Sequence, residues 1–272
     1  MATNQKLILS SFQNGMNHLV SEINRLKLED PFIPITILLP STGALKYFRN
    51  KLQNSLAVQF FQFYSLGDAI LQEATSPISL ISDTTIRQII SKILMEMDQE
   101  EILTSFSPLC EKPGFIIVLL EWLREMKSQG IDPEEYQAST VENPSPRDIQ
   151  LSEFYRRYQD YLNKKGYADP DGRLWVASEA LEKDPGLFIP DGPLYILGHD
   201  QFTPVQTAIL KSLANRFDSM TLYLHWSDDR DEDSLALSRL RETRDALLKN
   251  LYLDVITLPS HPKSSAVLSH LG

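Results

Sequence analysis

Cysteine is nearly absent from this chain: Cys110 is the only one in 272 residues. No internal disulfide can form, and a single thiol cannot supply a zinc or iron–sulfur ligand set. A reducing, cytoplasmic compartment is the expectation. Long apolar runs are missing as well. No stretch approaches the roughly 18 apolar residues of a membrane span, and the start, Met1-Ala2-Thr3-Asn4-Gln5-Lys6, is too polar for a secretory leader. The five histidines are scattered, and His199 and His225 have no Cys or Glu at ligand spacing, so no metal site is expected. Positive charge is scarce: 26 Lys and Arg face 36 Asp and Glu, a net charge of −10. That balance excludes a domain that blankets nucleic acid with cations, while leaving room for a local basic track.

What is present alternates. Lys6 to Ser10 reads as a buried strand, followed by a helical pattern over Asn14 to Leu28 that Pro31 and Pro34 end. Ile35 to Leu39 is a second strand, and Thr42 to Leu52 puts Ala44, Leu45, Phe48 and Leu52 on one helical face. Val58 to Phe63 is a third strand, with Ser65 as a cap for a helix over Leu66 to Ala74. Strands alternating with helices imply a parallel sheet. From Asp83 the period changes: Ile86, Ile89, Ile90, Ile93, Leu94 and Met97 line one long helix, and no strand is expected before Lys183. Phe115 to Met126 is apolar nearly all round, which predicts a buried helix stopped at Gly130. Asn143 to Pro146 is a loop, and Phe154, Tyr155, Tyr158 and Tyr161 follow a core-facing helix face. Strands return at Leu194 to Leu197 and Met220 to His225, around a helix over Thr203 to Ala214. The acidic run Asp228 to Asp233 reads as a solvated loop leading into a helix. The pattern predicts an α/β domain with a parallel sheet, residues 1–82 and 190–272, interrupted by a helical insert over 83–189.

The order of motifs resembles the first RecA-like domain of UvrD-type superfamily 1 helicases, a P-loop NTPase fold. It is carried by Ile37 to Leu52, Phe60 to Leu71, Asp160 to Leu181 and Leu194 to Ala214. More narrowly, the chain is similar to the N-terminal, helicase-like region of AddB/RexB-type helicase–nuclease subunits, above all in Phe202-Thr203-Pro204-Val205-Gln206 after a strand. The resemblance implies a chain that is part of a longer protein with a nuclease at its far end, a motor partner of the AddA type, and DNA as the other partner. Ser264 to Leu271 is similar to the start of a linker into a second domain.

The motifs themselves are eroded. A phosphate loop needs glycines, a lysine and a hydroxyl. At the corresponding Ser10 to Asn17 only Gly15 remains, Met16 stands for the lysine and Asn17 for the hydroxyl residue. At the second nucleotide motif Leu197 and Gly198 replace the Asp and Glu that would handle Mg²⁺ and water. His199 and Asp200 follow without a nucleophile-bearing turn, and Asp169-Pro170-Asp171 reads as a capping turn, not a catalytic carboxylate pair. No catalytic residue and no cofactor is expected. Two positions keep DNA-compatible chemistry under the resemblance: Ser41, Thr42, Lys46 and Arg49, and the pair Tyr64 and Ser65. The alternative for both is ordinary capping and solvation. The expected function is a non-catalytic, DNA-binding scaffold of a DNA-end-processing helicase–nuclease; a cryptic nucleotide hydrolase and a protein-interaction module are the alternatives.

Overall fold

The computed structural model describes residues 4–74, 78–140, 144–226 and 235–259, with the side chains of 235–237 left aside. The acidic run Asp228 to Asp233 and the segment Ser264 to Leu271 lie outside these residues. The elements run β1 (Gln5–Ser10), α1 (Phe12–Glu29), β2 (Ile35–Leu38), α2 (Thr42–Arg49), β3 (Val58–Phe61), α3 (Phe63–Glu73), β4 (Ser79–Leu80), α4 (Asp83–Gln99), α5 (Pro113–Gln129) and α6 (Pro133–Ser139). They continue with α7 (Pro146–Lys165), β5 (Tyr167–Ala168), α8 (Gly172–Lys183), β6 (Pro193–Leu197), α9 (Pro204–Leu213), β7 (Ser219–His225), α10 (Leu235–Asn250) and β8 (Asp254–Thr257). The chain divides into two compact units. One holds residues 1–63, 189–202 and 210–272; the other holds 64–188 and 203–209.

The first unit is built on a six-stranded, all-parallel sheet in the order β3-β2-β6-β7-β1-β8. The expected α/β class with a parallel sheet is thus what the chain adopts. Parallel strands must be covered on both faces, which explains why β2 and β6 are buried along their whole length. Ile8, Ile35, Ile37, Tyr195, Leu197 and Tyr223 point to one face and pack with Met16, Leu19 and Ile23 of α1 and Phe48 of α2. Alternate residues, including Leu7, Leu38, Leu194, Ile196 and Leu222, are buried on the other face. Close strand approach dictates one glycine: Gly192 has φ of 83°, and a Cβ there would collide with the Pro34 carbonyl at the start of β2. Lys27, buried on α1, donates to the carbonyls of Ile33 (2.6 Å) and Leu56 (2.5 Å), tying the loops that enter β2 and β3.

The second unit has a helical core of Ile86, Ile89, Ile90, Ile93, Leu94 and Met97 from α4, Leu119, Leu120 and Leu123 from α5, and Phe154, Tyr155, Tyr158 and Leu162 from α7. The i, i+3, i+4 periodicity of α4 therefore faces the core as expected. Both α5 and α7 end at glycines in the left-handed region, Gly130 and Gly166. The Phe202 to Gln206 phrase includes a helix start: Thr203 Oγ1 accepts from the Gln206 N–H (3.2 Å), while Gln206 Oε1 accepts from the Thr203 N–H (3.1 Å).

Several expectations are corrected. The helix after β1 starts at Phe12, not Asn14, because Ser11 caps it by accepting from the Asn14 N–H. Ser65 is not a cap. α3 begins at Phe63, whose buried ring stacks edge-on against His199 at 5.2 Å and so starts the turn earlier. A strand does interrupt the helical region, since Tyr167–Ala168 pairs in parallel with Ser79–Leu80 immediately after the Gly166 turn. α5 is not buried all round: Ile117 and Val118 are exposed, because only the Leu119, Leu120, Leu123, Lys127 stripe meets the core. β8 has no counterpart among the expected strands; it is an edge strand exposed along its length.

One buried ion pair pins the second unit. Lys127 and Asp169 are 2% and 6% exposed in their side chains, and their charged groups meet at 2.5 Å. The Asp169 carboxylate also accepts from the Tyr158 hydroxyl (2.8 Å) and the Gly172 N–H at the start of α8 (2.5 Å). Burial opposes its ionisation, but the Lys127 ammonium and these donors outweigh it and hold the carboxyl below its usual range. Asp169→Asn leaves Lys127 buried without a counter-charge and is expected to cost about 3–5 kcal/mol. A depressed folded-state value means this stabilisation is present above the unfolded carboxyl's titration and vanishes as pH falls through the folded one. Denaturant melts of parent and variant therefore differ fully at neutral pH and converge below about pH 4; a pH-independent gap would contradict the assignment.

Candidate functional site

In parallel α/β folds the loops at the carboxyl ends of the strands are where ligands bind. In the first unit these include Ser11 after β1, Leu39–Ser41 after β2, Gly198–Asp200 after β6 and Trp226 after β7. Only Ser11 separates β1 from α1, and the Gly15 N–H already bonds to the Ser11 carbonyl at 2.9 Å. Six of the eight residues from Ser10 to Asn17 are helical, so no loop of free N–H groups encircles an anion there. Met16 is 1% exposed and belongs to the core between α1 and the sheet. Asn17 is exposed and accepts from the Gln13 side chain (2.9 Å). Ser10 is buried, and a Cβ at Gly15 would lie 2.6 Å from its hydroxyl and 3.3 Å from the Tyr223 ring.

The end of β6 is equally apolar. Leu197 is buried in the same core. Gly198 has φ of 83°, and a Cβ there would meet Pro40 at 3.3 Å and the Phe12 ring at 3.6 Å. His199 and Asp200 diverge. The imidazole stacks on Phe202 at 5.4 Å, its Nε2 is buried without a hydrogen-bond partner, and burial pushes its pKa down to about 4. Asp200 is exposed, and its carbonyl accepts from the Thr243 hydroxyl. Nothing here pairs a nucleophile with a base. No group of three or more metal-ligating side chains occurs among the described residues, and no helix among them is long and apolar enough to cross a membrane.

The residues of α2 are arranged differently. Ser41 caps the helix through the Ala44 N–H (3.2 Å), and Thr42 accepts from the Gln62 amide (2.8 Å). Phe48 anchors the helix in the core, and Ser41, Thr42, Lys46 and Arg49 are exposed. At about 100° per residue Thr42, Lys46 and Arg49 (i, i+4, i+7) share one side of the helix. The chain has no acidic residue between Asp30 and Asp68. This acid-free stretch inside a chain of charge −10 is a sequence signal that marks the surface, and motif matching alone passes over it.

Tyr64 and Ser65 lie in the second unit, exposed in the first turn of α3. The Arg173 guanidinium sits 5.3 Å from the Tyr64 ring centroid and binds both oxygens of Asp68 at 2.7 and 2.9 Å. Arg124 joins Asp83 (2.9 Å) and Asp171 (3.3 Å). Burial, then the neighbouring Asp169 charge, raises the Asp171 carboxyl above its ordinary range. Asp169 does cap α8, and its pairing with Lys127 goes beyond the expected capping turn. The two carboxylates have different partners and do not form an acid–base pair.

Residues 45–252 match the family described as ADDB, N-terminal. The chain is 28% identical over 184 residues, 65% of its length, to an ATP-dependent helicase/deoxyribonuclease subunit of Listeria innocua serovar 6a. It is 25% identical over 237 residues, 80% of its length, to the protein of the same name from Moorella thermoacetica. These matches span 15% and 20% of the relatives, so the chain corresponds to about a fifth or less of their length.

Placing a lysine at position 16 tests the local geometry. Met16→Lys puts a cation in an apolar core and is expected to lower stability by about 3–5 kcal/mol, as an unpaired buried charge does. Urea denaturation measures it; an unchanged midpoint would mean that position 16 faces solvent.

Proposed function

Because the chain belongs to the ADDB N-terminal family, we propose that it is a non-catalytic, helicase-like scaffold that holds DNA within a helicase–nuclease of DNA-end processing. The observation that carries this reading is the start of α1 one residue after β1, which leaves no room for a phosphate loop. The apolar neighbours of Gly198, Pro40 and Phe12, support it at the position of the metal-binding carboxylates. With no lysine at position 16 and no carboxylate at 197 or 198, a hydrolase would lack both its cation for the phosphates and its ligand for Mg²⁺.

In this reading Ser41, Thr42, Lys46 and Arg49 contact the DNA backbone, with Tyr64 and Ser65 as further contacts. Residues 1–82 and 190–272 act as the RecA-like domain and 83–189 as the helical insert. The relatives' name, which joins an ATP-dependent helicase to a deoxyribonuclease, supports cleavage chemistry elsewhere in a longer protein. A motor subunit of the AddA type supplies ATP hydrolysis, and the assembly works in the cytoplasm.

Nucleotide binding is tested by thermal shift. A site with a dissociation constant of about 10 μM would, at about 1 mM Mg-ATP, stabilise the fold by about 2.7 kcal/mol. No shift is expected, and a shift of that size would overturn the proposal. DNA binding is tested with Lys46→Glu/Arg49→Glu. Both side chains are exposed, so the double variant should fold normally and lose the low-salt binding of the parent, whose affinity should fall with a log–log salt slope of about −0.7 per phosphate neutralised. Equal binding by parent and variant would remove α2 from the interface.

A further inference from the structure

The α1-facing side of the sheet changes character toward the amino ends of its strands. Strands of a parallel sheet covered on both faces are expected to be apolar throughout, yet Tyr195 of β6, Thr221 of β7 and Lys6 of β1 stand in one row across three strands. Beside that row lies a cavity of about 440 Å³, with His18 and Glu22 of α1 on its other side and all of its lining in the first unit. Its polar groups are unequally engaged. The acceptors are taken: both Glu22 oxygens accept from Arg25 (2.9 and 3.3 Å), and an Asp218 oxygen accepts from the Gly192 N–H (3.1 Å). The Tyr223 hydroxyl is engaged with His18 Nδ1 at 3.0 Å. The donors are free. Tyr195 is 5% exposed and Thr221 7%, and neither hydroxyl has a hydrogen-bond partner among the described residues. Lys6 forms no ion pair among them either, not even with Asp254, its row neighbour on β8. A hydroxyl this far from bulk solvent costs free energy until it is hydrogen-bonded, so the cavity asks for an acceptor.

We propose that this cavity binds a small monocarboxylate with an apolar body. Lys6 supplies one cation for one negative charge, and the Tyr195 and Thr221 hydroxyls donate to the carboxylate oxygens. Phosphate fits less well, because its second charge would stand against Glu22 and Asp218. The hydrocarbon part of the ligand lies along Ile8, Ile33 and Ile256, apolar walls of the same cavity. Few placed polar groups on apolar walls, in a volume of this order, are the usual make-up of a small-molecule site. The site stands at the amino edge of the sheet, whereas the eroded nucleotide motifs and the start of α2 stand at the carboxyl edge. Its occupancy is therefore independent of any contact with nucleotide or DNA.

The test is calorimetric titration of the full chain with benzoate and hexanoate as probes, beside benzamide and inorganic phosphate. Saturable binding of at least one carboxylate is expected, with benzamide and phosphate bound more weakly. Lys6→Gln, Tyr195→Phe and Thr221→Val should each weaken that binding about ten-fold or more, the effect of losing one hydrogen bond to a charged group. Because the Tyr195 hydroxyl has no partner among the described residues, Tyr195→Phe should leave the urea midpoint of the free protein unchanged, which separates lost binding from lost folding. A midpoint lowered by that variant would show the hydroxyl already bonded within the protein and would overturn the assignment. So would carboxylate binding that all three variants retain, or no saturable binding of either carboxylate up to about 10 mM. Benzamide bound as tightly as benzoate would reduce the site to an apolar crevice, and phosphate bound as tightly would reduce it to a general anion contact; either result refutes a carboxylate site.

Discussion

A parallel sheet has to be covered on both faces, and in this chain that requirement sets the geometry of everything at the carboxyl edge of the strands. With β1 placed between β7 and β8, the chain must cross over β7 and β6 to reach β2, and α1 is the segment that makes this crossing. To bury Met16, Leu19 and Ile23 against Ile8, Tyr195 and Tyr223, α1 lies directly on the sheet. The connection from β1 is one residue long, with the Ser10 hydroxyl against Gly15, and Pro40 and Phe12 lie beside Gly198 at the end of β6. α2 uses only Phe48 and its partly buried neighbours Ala44 and Leu45 as an anchor, so most of its circumference stays available to solvent.

The electrostatics divide along the same line. Most cations of the second unit are spent inside the protein, with Lys127 on Asp169, Arg173 on Asp68, Arg157 on Glu100 and Glu153, and Arg124 on three carboxylates. The exposed members of this set add little stability each but fix side-chain directions. On α2 the cations have no such partners among the described residues. A chain with a net charge of −10 can therefore present a positive surface over a short distance, with the Debye length of about 8 Å at physiological salt screening the more distant acids.

Much of the fold was legible in the sequence, because buried parallel strands leave continuous apolar runs such as Ile35 to Leu38 and Leu194 to Leu197, and α4 writes its core face as an unbroken helical period. What escaped shares one property: it depends on partners far apart in the chain or on weak local signals. Asp169 meets Lys127 across 42 positions; only a lysine standing four residues after Leu123 on an apolar stripe hinted that an acid was waiting. β8 hides because an exposed edge strand has no apolar run to announce it beyond Val255-Ile256. The apolar character of Phe115 to Met126 overstated burial, since composition does not reveal which side of a helix meets a neighbour. For the candidate sites, missing residue types were readable directly, whereas the shortness of the β1–α1 connection was not, because Ser10 to Asn17 has as many residues as a phosphate loop and differs only in how they fold.

That connection bears on how such a chain can change over time. An eroded motif that has lost only its side chains can be regained by point substitution. Here α1 begins at Phe12, so a phosphate loop over these same eight positions would require unwinding the first turns of α1 and, at once, unseating Met16 from a core shared by strands β1, β6 and β7. Each half of that change is harmful without the other. The buried positions Ser10, Gly15 and Met16 are consequently governed by side-chain packing, and descendants of this chain should vary there as core residues do, with volume conserved and a small residue at position 15, where the Ser10 hydroxyl and the Tyr223 ring crowd a methyl group.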